Sequence, residues 1–304
     1  MLRGYVPLLL VVAGIWGASY LFIKVAVEEI EPTAMMDLRL LLAAAVLVPF
    51  VAVRLGIARA AAEIRATGLG AFILGVSNMA LPFTLIAWGE KHIDSGVAAI
   101  ANSTVPIFVA LLAIRFNPGE RVTGVRLAGV MLGLVGVGVL TGLDPQGGWW
   151  AVAGTLAVVL ASLSYATANL YTQHRFPETS PLVIATASSV AAALVLLPPA
   201  LLQLPHTMPG WKALASVAAL GIAGTAVALL FFYAMLNRYG ASRASLVTYL
   251  LPPFALVYGV VFLDERMTLN ALLGLFLILA GVALGSGFVR LARRRAAAPA
   301  TPRP

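Results

Sequence analysis

The chain alternates between long apolar stretches and short polar connections over most of its 304 residues. A helix needs about 20 apolar residues to cross the hydrocarbon core of a bilayer. Ten stretches approach or reach that length, at roughly 5–25, 34–53, 67–88, 95–115, 123–141, 149–172, 181–202, 211–236, 243–263 and 268–288. The pattern predicts ten transmembrane helices joined by short loops. We expect the loop at 54–66, which carries three arginines, to form a short helix on the membrane surface.

The first and second halves of this pattern are weakly similar in sequence. Successive shifts of 149, 147 and 145 residues align Pro32 with Pro181, Trp16 with Tyr165, Pro106 with Pro253, Glu120 with Glu265, and Gly129 with Gly274. Each half has five spans, and because five is odd the second half enters the membrane from the opposite face. The expected fold is an all-α polytopic membrane protein with two inverted five-helix repeats, residues 1–142 and 143–289. Residues 290–304 are expected to be a disordered basic tail.

Composition and charge support a membrane protein and set its orientation. Charged residues are 11% of the chain, against about 25% in soluble domains. Most arginines fall in loops on the side of the two termini, whereas few basic residues fall on the other side: Lys24, Lys91, Lys212 and Arg266. The positive-inside rule then places both termini in the cytoplasm. The net charge of +8 is therefore a topology signal, which favours the lipid bilayer as partner and gives no indication of nucleic-acid binding.

Several kinds of chemistry are excluded or disfavoured by what the sequence contains. The chain has no cysteine, so disulfides and thiolate metal sites are excluded. Its three histidines lie at span edges or in loops, which argues against a histidine metal cluster. No Gly-x-x-x-x-Gly-Lys-Ser/Thr stretch is present, so ATP hydrolysis by that route is excluded. We expect no metal and no cofactor.

Four segments resemble the EamA-type drug/metabolite transporters: IWGASYLFIK at 15–24, DLRLLLAAAVLVP at 37–49, and the paired segments at 103–137 and 249–284. The paired segments each contain an apolar span ending in Gly-Glu or Asp-Glu, followed by a Gly-rich span. The resemblance implies ten helices in two inverted halves, a central pathway and export of small metabolites, often amino acids; one subgroup exports aromatic amino acids. The chain departs from an exact repeat at Tyr165, opposite a tryptophan, and at Ser188, opposite Arg39.

Polar and aromatic side chains recur at membrane depth in matching positions of the two halves. A polar group at that depth faces protein or water, and is by default a candidate site residue. We expect eight such residues to line a substrate cavity at the repeat interface: Trp16, Tyr20, Asn78, Asn102, Tyr165, Asn169, Thr225 and Tyr249. The alternative is that they only bridge helices by hydrogen bonds, worth about 0.6 to 2 kcal/mol each in membranes.

A second group of residues is expected to serve gating or structure. Arg39 is either an anchor paired with an acid or a carboxylate-binding group, and Lys24 an interfacial anchor or a substrate contact. Asp37 is the only carboxylate that the sequence places deep in a span. Prolines that interrupt spans 4 and 9 suit either a hinge or a static kink: Pro106, Pro252 and Pro253.

Two further motifs have structural interpretations. Glu120 and Glu265 each precede a Gly-rich span, where a carboxylate stabilises a helix amino terminus, so both are expected to cap those helices. The motifs Gly129-x-x-x-Gly133, Gly138-x-x-x-Gly142 and Gly281-x-x-x-Gly285 allow close helix packing, within one chain or across a dimer. The sequence leaves monomer and homodimer open.

The sequence as a whole predicts a secondary transporter of a bacterial inner membrane, and not an enzyme. We expect export of a small metabolite, most plausibly a neutral or aromatic amino acid, by alternating access of the two repeats. A proton-coupled multidrug or amine exporter is the alternative. A membrane-embedded lipid-linked enzyme is an alternative from another functional class. Such an enzyme needs clustered acids or a nucleophile with a base, and the sequence has no pair of carboxylates in a DxxD-type arrangement with a nearby histidine. An ion channel needs rings of charges or carbonyls made by oligomeric symmetry. Two related but non-identical halves that build one central site argue against a channel.

Overall fold

The computed structural model describes residues 2–116, 124–141 and 148–285. Within these ranges the elements are fourteen α-helices: α1 (Leu2–Val27), α2 (Pro32–Leu55), α3 (Ile57–Gly75), α4 (Leu81–Glu90), α5 (Ser95–Asn102), α6 (Val105–Phe116), α7 (Val125–Thr141), α8 (Gly148–Arg175), α9 (Pro181–Leu201), α10 (Trp211–Gly221), α11 (Ala228–Tyr239), α12 (Ala241–Ala244), α13 (Val247–Leu263) and α14 (Leu269–Gly285). Two π-helical turns join neighbouring helices, π1 (Val76–Ala80) between α3 and α4, and π2 (Ile222–Val227) between α10 and α11.

These helices make ten membrane crossings. In the described ranges, seven helical stretches are long and apolar enough to span a bilayer, and three shorter apolar helices within α7, α13 and α14 bring the number to ten. The predicted all-α fold of ten transmembrane helices is therefore confirmed. An even number of crossings brings α1 and α14 to begin and end at one face, which we call the terminal face. The opposite face is called the far face.

Proline marks corresponding helix starts in the two halves, and glycine marks two helix ends at the terminal face. Pro32 and Pro181 lie in the first turns of α2 and α9, where the missing amide proton has no helical partner to lose. At the terminal face, Gly56 separates α2 from α3 with φ of 85°, and Gly240 separates α11 from α12 with φ of 84°. Glycine adopts such positive φ angles without steric cost. Each of these two glycines therefore allows the chain to reverse direction at the terminal face.

A short helix on the membrane surface precedes the third crossing. Gly68 has non-helical angles, φ 48° and ψ −132°, and divides α3 into a surface segment and a membrane-crossing segment. Arg59 and Glu63 form an ion pair of 2.7 Å on the surface segment, while Ala60 packs on Val51 and other residues of a small apolar cluster. The surface helix predicted at 54–66 is thus present, beginning at Ile57.

Each repeat donates its first helix to the other repeat. α1 packs chiefly against α10, α11 and α13, whereas α8 packs against α4, α5 and α6. The helices that correspond to each other pair directly, α2 with α9 and α7 with α14. This reciprocal arrangement is what an inverted duplication predicts. The helices that surround the centre of the molecule therefore come from both repeats.

Glycines bring α7 and α14 together within one chain. A Cβ at Gly281 would lie 2.6 Å from both the Gly129 carbonyl oxygen and the Gly133 amide nitrogen, so the two backbones are nearly in contact. The motifs Gly129-x-x-x-Gly133 and Gly281-x-x-x-Gly285 therefore serve packing inside the monomer. Gly138 has open space around it, and Gly142 lies outside the described residues.

Candidate functional site

A cavity of about 360 Å³ lies between the two repeats near the middle of the bundle. Ligand pockets of small-molecule sites measure about 300 to 1,000 Å³, so the cavity suits a ligand at the small end of that range. Its walls come from seven of the ten crossings. The lining residues are Trp16, Ser19, Tyr20, Ile23, Arg39, Asn78, Met79, Phe83, Ile86, Asn102, Val105, Tyr165, Asn169, Gly224, Thr225, Leu229, Phe232, Tyr233, Thr248 and Leu251.

Most of the polar residues predicted from the sequence line this cavity. Seven of the eight do so: Trp16, Tyr20, Asn78, Asn102, Tyr165, Asn169 and Thr225. Tyr249 does not line the cavity; it packs against the hydrophobic core, and its neighbour Thr248 lines the cavity instead. Successive residues of an α-helix point about 100° apart, so alignment to within one residue does not determine which side chain of α13 faces the centre.

Both π-turns present a polar side chain to the cavity. Asn78 lies in π1 and Thr225 in π2, and the two positions correspond in the repeats. π-turns insert an extra residue into a helix and occur frequently at functional sites. Thr225 Oγ1 donates a hydrogen bond to the Leu220 carbonyl across π2, at 2.9 Å. The side-chain amide of Asn78 makes no hydrogen bond within the described part of the chain, and is therefore available to a ligand.

Arg39 carries a positive charge into the cavity from α2. It is 6% exposed, its Nε donates to Thr225 Oγ1 at 2.9 Å, and its guanidinium lies 4.0 Å from the centre of the Phe83 ring. Neither ion pair found among the described residues involves Arg39. Of the two alternatives for Arg39, pairing with an acid is thus not found among the described residues. Its Nη groups have no carboxylate partner in the described protein.

Asn102 both lines the cavity and bridges helices. Its Nδ2 donates to the Tyr20 hydroxyl at 2.8 Å, and its Oδ1 accepts from Ser162 Oγ at 3.1 Å. These bonds join α1, α5 and α8 at the point where α5 ends. Here the two interpretations of a polar intramembrane residue, helix bridge and cavity wall, apply to the same side chain. Asn169 is exposed in the terminal-face half of α8, and it makes no such bridge to another described residue.

The prolines of the fourth and ninth crossings differ in their structural setting. The fourth crossing is interrupted at Ser103 and Thr104, and Pro106 lies in the first turn of α6. Pro252 and Pro253 lie inside the continuous helix α13. The interruption of the fourth crossing adjoins the cavity, since Asn102 and Val105 on either side of it both line the cavity.

Contacts at the far face close the cavity from that side. Lys24 Nζ donates to the main-chain oxygens of Glu90 and Ile93 at 2.7 and 2.8 Å, and so acts as an anchor that does not line the cavity. Lys91 pairs with Glu31 at 2.8 Å. We refer to these bonds, together with the contacts of Glu265 described next, as the far-face closure.

Glu265 caps a helix of the other repeat. Its carboxylate accepts bonds from Ser95 N and Ser95 Oγ at 2.7 and 2.9 Å, and from Gly96 N at 3.2 Å, at the start of α5. The prediction that Glu265 caps α14 is therefore wrong. Thr268 fills that role, because its Oγ1 accepts a bond from Ala271 N at 3.1 Å. Glu120, the corresponding acid, lies outside the described residues.

Two acidic residues, Asp37 and Glu90, are buried, and the sequence does not predict the burial of Glu90. Asp37 is 3% exposed and its Oδ1 has no hydrogen-bond partner in the described structure, but it does not line the cavity. Glu90 is completely buried at the end of α4, although its place at a span edge predicts a solvated acid. Asp37 is therefore not the only buried carboxylate, although Glu90 lies at the end of its span and not deep within it. No local pattern distinguishes Glu90 from exposed neighbours such as Asp94.

Sequence reasoning also missed residues that face the cavity. Phe83 stacks on Arg39, Phe232 lies 5.2 Å from Trp16 between ring centres, and Tyr233 and Thr248 add hydroxyl groups. Tyr233 could have been found, because it is a hydroxyl-bearing aromatic residue inside the eighth span. Phe83 could not, because phenylalanine in a span is equally common on lipid-facing surfaces.

Comparison with known proteins identifies relatives along nearly the whole chain. The EamA-like transporter family matches residues 4–142 and again residues 152–287. The probable terminal-alkyne amino-acid exporter of Streptantibioticus cattleyicolor is 30% identical over 93% of this chain and 94% of its own. The probable amino-acid metabolite efflux pump of Escherichia coli K12 is 27% identical over 92% and 93%. The uncharacterized transporter YoaV of Bacillus subtilis is 27% identical over 88% and 91%.

The fold is also found among solved structures. One crystal structure matches 96% of this chain and 98% of its own chain, with a TM-score of 0.63 and 20% sequence identity. At that identity the match supports the shared fold alone. Because the family matches both repeats and together these matches cover most of the sequence, the chain belongs to the EamA-like transporter family of the drug/metabolite transporter superfamily.

Proposed function

We propose that this transporter exports a small amino acid or a related metabolite with a free carboxylate, most plausibly a neutral or aromatic amino acid. The observation that supports this most directly is Arg39, a buried guanidinium at the cavity wall that has no acidic partner in the described chain. A charge in a site of low polarity is costly unless it is paired. A substrate carboxylate supplies the missing partner.

The charge of the cavity discriminates between an amino acid and a cationic drug. Arg39 is the charged residue among the lining side chains, and these include no aspartate or glutamate within the described ranges. A cationic amine would therefore be repelled, whereas the carboxylate of a zwitterion would bind Arg39. The amide oxygens of Asn78 and Asn169 are acceptors for the ammonium group. This arrangement disfavours the alternative function of a multidrug or amine exporter.

The apolar walls accommodate the side chain of such a substrate. Aromatic rings from both repeats surround the cavity: Trp16, Tyr20, Phe83, Tyr165, Phe232 and Tyr233. Aromatic rings bury large apolar areas and stack on one another, so an aromatic or aliphatic side chain would bind among them. The names of two relatives, an amino-acid exporter and an amino-acid metabolite efflux pump, agree with this substrate class.

Transport follows from the inverted repeats, 1–142 and 143–289, acting as two halves that rock about the cavity. The far-face closure holds one side shut, and a related set of contacts at the terminal face would form when the far side opens. The bias of arginine toward the terminal face supports a cytoplasmic position for both termini and, in a bacterium, the inner membrane. One chain supplies all the described walls, so we propose the monomer as the transport unit.

Matched pairs of substrates that differ by one carboxylate test this function. Purified protein in liposomes is preloaded with an unlabelled amino acid, and uptake of labelled tyrosine or phenylalanine is compared with uptake of tyramine or phenethylamine. We expect exchange of the amino acids and little exchange of the amines. Equal transport of the amines, or no transport of any amino acid in a panel of neutral amino acids, would contradict the proposal.

A further inference from the structure

A buried acid with no partner lies in the far-face closure. Glu90, the last residue of α4, is 0% exposed, and neither of its carboxylate oxygens has a hydrogen-bond partner among the described residues. Buried polar groups nearly always have hydrogen-bond partners, and a buried charge needs them most. The proposed binding of substrate uses Arg39 and the amides, and it leaves Glu90 without a role.

The nearest cation does not neutralise the Glu90 carboxylate through contact. Lys24 directs its ammonium group to the main-chain oxygens of Glu90 and Ile93, and no ion pair joins it to the carboxylate within 4 Å. Lys24, Glu265 and Arg39 are the charged groups that interact with Glu90 electrostatically, and Tyr20 also does so. Of these, Lys24 and Arg39 favour a negative charge on Glu90 and Glu265 disfavours one, so burial without a hydrogen-bond partner is what favours the neutral acid.

The other elements packed on α4 provide no donor to Glu90. α8 presents Gly154 and Val158 to the neighbouring Gly89. In the loop that follows α4, Lys91 pairs with Glu31 and the His92 ring stacks on Trp150 at 5.1 Å, while Asp94 is exposed. The surroundings of the carboxylate therefore suit a neutral carboxylic acid better than a carboxylate ion.

We infer that Glu90 is a proton-binding site whose occupancy is linked to the far-face closure. When the far face opens, water reaches Glu90 and the acid releases its proton to form a carboxylate. When the face closes, the carboxylate takes up one proton and is buried as the neutral acid. One proton is bound for each closure, and no other reactant is consumed.

The site lies one helical turn from the substrate cavity. Ile86 lines the cavity and lies four residues before Glu90 on the same helix. Tyr20 also lines the cavity and interacts electrostatically with Glu90. This position connects the proton to the transport cycle, and that part of the inference rests on the proposed function. Closure would be favoured when the far-side compartment is at low pH, so the far-side pH would set how often that face opens during the transport cycle.

Distance measurements between two spin labels test the linkage. Because the chain has no native cysteine, Asp94→Cys and Arg266→Cys provide the only labelling sites; both positions are exposed, and they flank the contact between Glu265 and Ser95. Pulsed electron paramagnetic resonance is recorded in nanodiscs between about pH 5 and about pH 9. This range covers the pKa values typical of buried glutamates in proteins. We expect the short-distance population to increase at least severalfold as the pH falls.

Substitutions at Glu90 test whether this side chain causes the pH dependence of the distance between the spin labels. Glu90→Gln, which mimics the neutral acid, should keep the short distance at all pH values, whereas the exposed control Glu28→Gln should titrate like the parent. A pH-independent distance in the parent, or an unchanged titration in Glu90→Gln, would overturn the inference.

Infrared difference spectroscopy provides a second measurement if Glu90→Gln does not fold. The closed protein should show the carbonyl stretching band of a protonated carboxylic acid, which shifts in Glu90→Asp and persists in Asp37→Asn. Absence of the band in the parent, or its loss in Asp37→Asn alone, would exclude Glu90 as the proton site. Neither measurement requires a substrate, so failure of amino-acid transport would leave this inference separately testable.

Discussion

At the scale of single residues, the cavity is asymmetric although its two halves are related. Arg39 on α2 corresponds to Ser188 on α9, a buried residue whose hydroxyl has no hydrogen-bond partner in the described structure. Asn78 likewise corresponds to Thr225. The duplication therefore did not reproduce the chemistry of these side chains, and Ser188, unlike Arg39, does not line the cavity. A single positive charge gives the cavity a preferred end for a carboxylate, which a symmetric cavity would lack.

Replacing Arg39 should weaken binding of an amino-acid substrate. A hydrogen bond to a charged group contributes about 1.5 to 3 kcal/mol, so Arg39→Met should raise the Kd roughly tenfold to a hundredfold. Thr225→Val removes the hydroxyl bonded to Arg39 and keeps the charge, so its effect should be smaller. Arg65→Met, at an exposed arginine, is the matched control. Calorimetric titration measures the Kd, and an unchanged value in Arg39→Met would contradict the prediction.

The bridge between Tyr20 and Asn102 should contribute to stability more than to binding. Tyr20→Phe removes the hydroxyl that accepts from Asn102 and retains the ring in the cavity wall. Hydrogen bonds between membrane helices contribute about 0.6 to 2 kcal/mol, so we expect unfolding in detergent to become easier by that amount. Substrate Kd should change less than in Arg39→Met. Equal stability of Tyr20→Phe and the parent would show that the bridge is energetically neutral.

At the scale of helices, interruptions surround the cavity and continuous packing lies away from it. The π-turns and the break between α5 and α6 all adjoin the cavity, where irregular backbone exposes polar groups to a ligand or water. The pair α7 and α14 packs backbone to backbone through glycine. These two kinds of helix suit two tasks: the interrupted helices form the site, and the glycine-packed pair holds the repeats together.

The glycine contact between α7 and α14 should tolerate no side chain. Gly281→Ala places a methyl group 2.6 Å from Gly129 O and Gly133 N, and such overpacking costs about 1 to 3 kcal/mol. Gly138→Ala on α7 is the control, because a Cβ there meets nothing within 4 Å and alanine favours the helix. Thermal unfolding in detergent should show a lower Tm for Gly281→Ala alone. Comparable Tm values for both variants would contradict the packing described.

At the scale of the whole molecule, the first helix of each repeat lies in the other repeat. α1 and α8 cross between the halves, so movement of one half displaces walls on both sides of the cavity. The far-face closure combines contacts within one repeat, such as Lys24 with Glu90, and contacts between repeats, such as Glu265 with Ser95. Opening the far face requires both kinds to break. The closed side is therefore held by a set of contacts that can be weakened one at a time.

Loss of the Lys24 anchor should open the far face more often. Lys24→Met removes the bonds to the carbonyl oxygens of Glu90 and Ile93, so a reporter cysteine at buried Ile93 should react severalfold faster with a membrane-impermeant maleimide. Lys212→Met, an exposed lysine on the same face, should leave the rate unchanged. Equal rates in Lys24→Met and the parent would exclude a role in closure.

The sequence by itself determined the number of crossings, the inverted duplication and much of the polar part of the cavity wall. Length and apolarity decide whether a helix crosses a bilayer, and polar residues at membrane depth avoid lipid; both are local properties. Trp16, Tyr20 and Asn102 were predictable for that reason. The remaining outcomes required tertiary structure, because they depend on which segments meet. Glu265 reaches α5 and not α14, Arg39 meets Phe83 in place of an acid, and Glu90 is buried while Asp94 is not. Burial and pairing belong to the assembled bundle, so no local pattern could determine them.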